Sequence, residues 1–268
     1  MPRKRIAFGW YGGKYSHLKW LLPLLPRAHH YCEPFGGSAA VLLNRDPSPI
    51  ETYNDIDGEV VNFFRVLRDE KEELLYAIAM TPFSKEEFRL AIETNGRGSG
   101  LTEVEQARRF FVRARQVRTG LAQTASVGRW AHCIKTSRAG MAGAVSRWLG
   151  SVEGLDWTAT RLLRVQIEHD DAMAVINRYD TAQTLFYCDP PYPHQSRGDS
   201  NAYQYEMDDQ DHIELAMLLS SVDGMVAVSG YHCDLMDKLY AGWTVHEEGS
   251  RKVHSVKQDR VEVLWTNY

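Results

Sequence analysis

The sequence predicts an α/β protein, an open and mostly parallel sheet interrupted by an inserted helical segment. Three observations predict it. Short apolar runs that stop at Gly, Pro or Asp alternate with helical periodicity near both ends of the chain, the pattern of parallel strands joined by crossovers. From Asp69 to about Arg164 that alternation gives way to helical periodicity alone. Two further apolar runs, Trp243 to His246 and Arg260 to Thr266, close the chain as a strand pair would. Residues 1–69 and 165–268 are therefore read as one α/β domain, and 70–164 as a helical insertion.

Composition sets the bounds. The chain has 268 residues, 44% hydrophobic and 25% charged, as expected of a soluble globular protein. No run approaches the roughly 18 apolar residues of a membrane span, and no signal-peptide pattern opens the chain. The four cysteines are scattered without a Cys-x-x-Cys pair, which predicts a reducing cytoplasmic setting and no structural zinc. None follows a proline, so the Pro-Cys nucleophile of cytosine carbon-5 methyltransferases is missing.

In order, Trp10-Tyr11-Gly12-Gly13-Lys14 comes first. A phosphate loop would need glycine where Phe8 stands and Ser or Thr where Tyr15 stands, which excludes a Walker-type site. The stretch is read as a Gly-Gly turn presenting Lys14, followed by an amphipathic helix from Ser16 to Leu25 ended by Pro26. Tyr31 to Glu33 reads as a strand. Pro34-Phe35-Gly36-Gly37-Ser38 then leads into a helix of small and apolar residues, whose glycines would let backbone approach a ligand. Ile50 to Asp55 is a second strand ending in an acid placed to accept from ribose hydroxyls. Asp55 is equally suited to cap the helix predicted over Ile56 to Arg68.

The insertion is strongly basic. Residues 97–147 hold ten Arg and Lys against Glu103 and Glu105 alone, inside a chain of net charge −4. In a helix from Leu101 to Arg118, Val104, Ala107, Phe111 and Ala114 recur at the spacing of one buried face, and Arg108 and Arg115 are expected to face outwards. Beyond it, glycine-punctuated loops carry Arg129, Lys135 and Arg138. This excess favours phosphate contact, with Arg108, Arg115, Arg118, Arg129, Lys135 and Arg138 as candidates.

After the insertion, Arg164 to His169 reads as a strand, and Asp170 or Asp171 as the cap of a helix from Ala172 to Tyr179. Leu185-Phe186-Tyr187-Cys188 is a buried strand stopped by Asp189-Pro190-Pro191-Tyr192. Two prolines fix the loop and leave the carbonyls of Asp189 and Pro190 outside any helix. A carboxylate, a bare carbonyl and an aromatic ring at a strand's carboxyl end suit a planar base with an exocyclic amine. A polar loop follows, Pro193 to Glu206, with His194, Arg197, Tyr203 and Tyr205. Then come a helix (Asp208 to Ser221), a strand (Gly224 to Ser229) and a helix near Leu235 to Tyr240.

Taken together, these stretches resemble the Dam-like DNA adenine methyltransferases, the alpha group of amino-methyltransferases. Trp10 to Lys14 is similar to the family's amino-terminal motif, Glu33-Pro34-Phe35-Gly36-Gly37-Ser38 to its S-adenosylmethionine loop, and Asp189-Pro190-Pro191-Tyr192 to its catalytic motif. Glu262 to Tyr268 is similar to its carboxyl end, and the order of motifs is the alpha order. The resemblance implies a class I S-adenosylmethionine-dependent methyltransferase fold with a helical target-recognition domain. It implies S-adenosylmethionine held by Trp10, Lys14, Glu33, Phe35, Gly36, Gly37, Asp55, Asp171 and Asp189, with no metal. It implies double-stranded DNA as partner and leaves open whether a restriction endonuclease accompanies the chain. The Asn-Val-Pro-Phe-Gly type segment of GATC-specific members is absent between Arg97 and Arg147, so no GATC target is implied.

The expected chemistry follows. Asp189 and the Pro190 carbonyl would accept from the 6-amino group of a flipped adenine, freeing its lone pair, while Tyr192 stacks on the base through its ring and not its hydroxyl. A cytosine-amine methyltransferase on the same scaffold, distinguished by its methylated product, is the nearest alternative. A catalytically inert DNA-binding relative is the other.

Overall fold

The computed structural model describes residues 5–93, 100–196, 205–249 and 261–268. The chain divides into two compact units: 1–15, 37–44 and 57–167 form one, and 16–36, 45–56 and 168–268 the other.

The second unit carries most of a seven-stranded sheet. In chain order its elements are α1 (Leu18–Leu21), β1 (His30–Glu33) and β2 (Ile50–Asn54). The helical unit intervenes with α2 (Gly58–Asp69), α3 (Lys71–Ala79), α4 (Lys85–Glu93) and α5 (Glu103–Gln116). It continues with a short hairpin of β3 (Ser137–Arg138) and β4 (Met141–Ala142), then α6 (Gly143–Val152) and α7 (Leu155–Leu162). The chain resumes with β5 (Gln166–Glu168), α8 (Ala172–Tyr179), β6 (Thr184–Cys188), α9 (Asp209–Leu219), β7 (Met225–Tyr231), α10 (Asp234–Leu239), β8 (Thr244–Glu247) and β9 (Glu262–Thr266).

The strand order is β5-β2-β1-β6-β7-β9-β8. β2, β1, β6 and β7 run parallel, and β9 lies antiparallel between β7 and β8. This mostly parallel sheet with a reversed strand near one edge is the class I methyltransferase arrangement. Every residue of β1 and β6 is buried, as strands covered on both faces require. One face of the sheet offers Cys32, Phe186, Cys188, Val226, Val228, Val263 and Trp265 at period two to apolar residues of α8, α9 and α10.

The helical unit closes on aromatic rings. Phe8 meets Phe63 and Phe110 edge to face at 5.4 and 5.0 Å, Phe63 stacks on Phe111 at 5.5 Å, and Phe111 meets Trp148 at 5.6 Å. The predicted face of α5 is buried as expected: Val104, Ala107, Phe111 and Ala114 are all at most 6% exposed. Thr102 caps that helix by accepting from Glu105 N.

Three predicted helices differ. The one expected over Ser16 to Leu25 is a single turn, α1, between two 3-10 turns, because Pro23 brings no N–H to continue it. The one expected after Gly37 is a run of turns. Ala39 takes φ 53°, in the left-handed region, and the Asn44 amide donates to the carbonyls of Ala40 and Arg5, so no regular ladder forms. The helix expected from Ile56 starts at Gly58, capped by Asp57 rather than Asp55. Arg197, Tyr203 and Arg260 lie outside the described residues, as does Arg97. No described helix is long and apolar enough to cross a membrane.

Candidate active site and nucleic-acid interface

β1 has β2 on one side and β6 on the other, all parallel, so the order of strands reverses between β1 and β6. In open α/β sheets the crevice at such a switch point, outside the carboxyl ends of the strands, takes the ligand. The register His30↔Thr184, Tyr31↔Leu185, Cys32↔Phe186 brings both strands to the same edge. Glu33 ends β1 there, and Asp189-Pro190 follows β6 directly. Asp189 is half-buried and Pro190 buried. The Asp189 charge, after burial itself, pushes the neighbouring Tyr187 phenol up, and Tyr187 Oη pairs with Ser229 Oγ at 2.8 Å.

A residue that sequence reasoning passed over organises this edge. Asn54, fully buried, donates to the carbonyls of Pro34 (2.9 Å) and Asp170 (3.0 Å) and accepts from Asp170 N (2.9 Å). One side-chain amide thus ties the loops after β1 and β5 to the end of β2. Its neighbour Asp55 is half-buried at the tip of β2. Asp171 caps α8, with Oδ1 accepting from Met173 N and Ala174 N at 2.9 and 3.1 Å. The Glu33 carboxylate, 2% exposed, accepts from Tyr31 Oη at 2.6 Å. Phe35 is half-buried and packs against the sheet core.

The glycines of this region serve packing. A Cβ on Gly36 would fall 2.2 Å from the Tyr53 ring, and Gly36 N donates to Asn54 O at 2.8 Å. The missing side chain at Gly36 makes room for β2. In the helical unit, Gly37 (φ 48°) lies so close to the Trp10 indole that a Cβ would sit 2.6 Å from it. Trp10 to Gly13 form a turn closed by Gly13 N donating to Trp10 O, with Gly12 at φ 70°. Lys14 is not presented to solvent: it is 3% exposed, and its Nζ donates to Gly12 O at 2.7 Å.

Tyr192 departs most from expectation. It is 4% exposed, and its hydroxyl donates to Glu262 Oε1 at 2.5 Å. Its ring meets Tyr231 edge to face at 4.8 Å. The hydroxyl is therefore engaged, not idle.

The basic segment separates into two groups. Arg108 does not face outwards: it donates to Glu105, Glu87 and Thr81, and only 14% of its side chain is exposed. Arg109 is held by Glu105, and Arg113 by Glu59 at 2.6 Å and by Ala91 O. Arg115 is half-buried on the same helix, with no carboxylate on it among the described residues, and burial, reinforced by the like charge of Arg147, pulls its pKa down. Arg118, Arg129, Lys135 and Arg138 are exposed. Arg138 sits in the β3–β4 hairpin, whose turn residues Ala139 and Gly140 take φ 51° and 74°.

Comparison with known proteins places the chain in a family. The chain is 23% identical to the Type II methyltransferase M1.LlaDCHI of Lactococcus lactis subsp. cremoris, over 97% of this chain and 94% of that one. It is 22% identical to the Type II methyltransferase M.MjaIII of Methanocaldococcus jannaschii, over 97% of each. A stretch of 78 residues is 35% identical to a DNA adenine methylase of Vibrio cholerae serotype O1, covering 28% of this chain and 27% of that one. Residues 10–257 match a single family throughout, and on that match the chain belongs to the D12 class N6 adenine-specific DNA methyltransferases.

Proposed function

We propose that the adenine-specific methylation of DNA by this chain takes place at Asp189 and Pro190. The observation that carries the reading is their position, directly after β6 and beside the end of β1, at the point where the strand order reverses. The Asp189 carboxylate and the Pro190 carbonyl accept the two amine hydrogens of a flipped adenine. That pairing favours a pyramidal nitrogen and frees a lone pair otherwise delocalised into the ring. Two prolines and the half-burial of Asp189 hold the acceptors in place before the base arrives, so catalysis is positioning and electrostatics.

S-adenosylmethionine, when bound, supplies an electrophilic sulfonium methyl. The acids at the carboxyl ends of adjacent strands suit its polar groups: Asp55 for the ribose hydroxyls, Glu33 and Asp189 toward the methionine end, and Asp171, through the oxygen its helix cap leaves over, toward the adenine. Phe35 and Gly36 complete the loop after β1. Trp10, Lys14 and Gly37 are proposed on the sequence motif alone. DNA is taken by the arginines and lysine that hold no acid among the described residues: Arg115, Arg118, Arg129, Lys135 and Arg138.

Asp189→Ala should lower the single-turnover rate of methyl transfer at least about 10²-fold, the usual loss for an electrostatic stabiliser, while DNA affinity stays within a few-fold. A near-normal rate would move the active site elsewhere. Asp55→Ala should weaken S-adenosylmethionine binding by roughly 1.5–3 kcal/mol in calorimetry. An unchanged constant would take Asp55 out of the site.

A further inference from the structure

We infer that Glu262 on β9 is a positioning residue for the reaction, fixing the ring of Tyr192 from beneath. The inference rests on the expectation from the sequence motif that Tyr192, which is 4% exposed here, is the base-holding aromatic. Tyr192 stands between Pro191 and Pro193, so its backbone is confined to extended geometry and lacks the neighbouring N–H groups that would tie it to secondary structure. What remains to be set is the direction of the side chain. Two groups from the sheet set it. Glu262 Oε1 accepts from the Tyr192 hydroxyl at 2.5 Å, and Tyr231 packs its ring at 82° against the Tyr192 ring, centroids 4.8 Å apart.

These two groups form a built pair. Tyr231 and Glu262 are register partners across the antiparallel β7–β9 ladder, so both side chains rise from one face of the sheet at one level. Glu262 is 3% exposed. Burying a carboxylate is costly unless hydrogen bonds compensate it, so placing one here as a strut needs a return. A short O–H···O⁻ bond is the strong, directional kind, able to hold a phenol in one orientation. β7 and β9 are thereby coupled to the loop after β6, 70 residues away in sequence.

The consequence is specific. A base entering beside Asp189 meets a ring already oriented, and it does not have to immobilise that ring itself. Without the Glu262 bond the tyrosine can rotate about χ1 and χ2, and the flipped base is held less often in a reactive pose. S-adenosylmethionine affinity is untouched, because Glu262 belongs to β9 and not to the cofactor strands.

The test is a set of four variants, Tyr192→Ala, Tyr192→Phe, Glu262→Gln and Glu262→Leu, each checked by thermal melt. Readouts are single-turnover rate, S-adenosylmethionine Kd, and fluorescence of 2-aminopurine at the target position as a report of base flipping. Tyr192→Phe should lower the rate by about tenfold, the worth of roughly one lost hydrogen bond to a charged group. It should also raise the fraction of unflipped base and leave S-adenosylmethionine binding unchanged. Glu262→Leu should match it, and Glu262→Gln, which still accepts at the same place, should recover most of the rate. The double variant Tyr192→Phe with Glu262→Leu should be no slower than either single one, because both remove the same bond. If Tyr192→Phe and Glu262→Gln both ran at the wild-type rate while Tyr192→Ala was impaired, Glu262 would have no positioning role. If Tyr192→Ala were itself unimpaired, the base-holding reading would fail instead. A double variant showing the product of two independent losses would also overturn the inference. Should Glu262→Leu not fold, Tyr192→Phe and Glu262→Gln still decide.

Discussion

Arg108, Arg109 and Arg113 share one helix with Arg115, yet the two groups have opposite fates. The first three are spent inside the protein, on Glu105, Glu87 and Glu59. Arg115 and the exposed Arg118, Arg129, Lys135 and Arg138 beyond it carry no such partner among the described residues. Net charge over a window of sequence cannot separate these groups, because Glu87 lies on α4 and Glu59 on α2, both outside the basic window. A positive excess becomes a nucleic-acid surface only where no acid from elsewhere in the fold reaches it. Among the described residues that condition fails at Arg108, Arg109 and Arg113 and holds at Arg115, Arg118, Arg129, Lys135 and Arg138.

The contrast can be broken most forcefully at Arg113. Replacing it with Met leaves Glu59 half-buried without its cation and should cost about 3 kcal/mol or more of stability in denaturant unfolding. The salt dependence of DNA binding should not change. A stable variant with weaker DNA binding would put Arg113 on the interface. At Arg129 and Arg138 the signs reverse: Ala should leave stability within about 0.5 kcal/mol. If these side chains read base edges, each loss should cost about 1–3 kcal/mol on the cognate site and relax one position of the methylated sequence. Methylation-site sequencing that found specificity intact in both variants would demote them to phosphate contacts. Arg118→Ala and Lys135→Ala should weaken binding evenly on all sequences and lower the salt slope by about one ion each. Unchanged slopes would reduce that stretch to solvated surface.

The smallest expected effect is chemical. Cys133 lies in the segment that carries Lys135 and Arg138. The Thr136 hydroxyl, with Oγ1 at 2.8 Å, and backbone hydrogen bonds from Thr136, Gly143 and Ala144 bring its pKa down to about 7. Burial pushes the Cys32 and Cys188 thiols up instead. Alkylation of Cys133 should therefore rise through neutral pH, as its thiolate forms, while Cys32 and Cys188 stay unmodified in the folded protein. Bound duplex DNA should slow the reaction at Cys133 by a few-fold. Equal rates with and without DNA would place the DNA away from this segment.

Legibility followed the range of the interactions. The strand before Asp189 and its double-proline stop are local signals, and the structure has them where sequence places them. The buried face of α5 was equally local, a matter of period. What escaped was set by distant partners. The helix expected after Gly37 is undone by Asn44 reaching back to Arg5, and the cap of α2 moves two residues to Asp57. Asn54 reads as one polar residue at a strand end until the loops after β1 and β5 are seen to hang on it. The Tyr192 hydroxyl gives no sign in sequence of the glutamate it meets 70 residues later.

The central claim, that the Asp189–Pro190 edge presents an adenine amine for methylation, is tested most directly by the product. Duplex DNA is incubated with the purified protein and methyl-labelled S-adenosylmethionine, then digested to nucleosides, for the wild type and for Asp189→Asn. The account predicts label in N6-methyladenine for the wild type and a fall of at least about 10²-fold for the variant. Label in N4-methylcytosine, or N6-methyladenine formed as fast by Asp189→Asn, would contradict it.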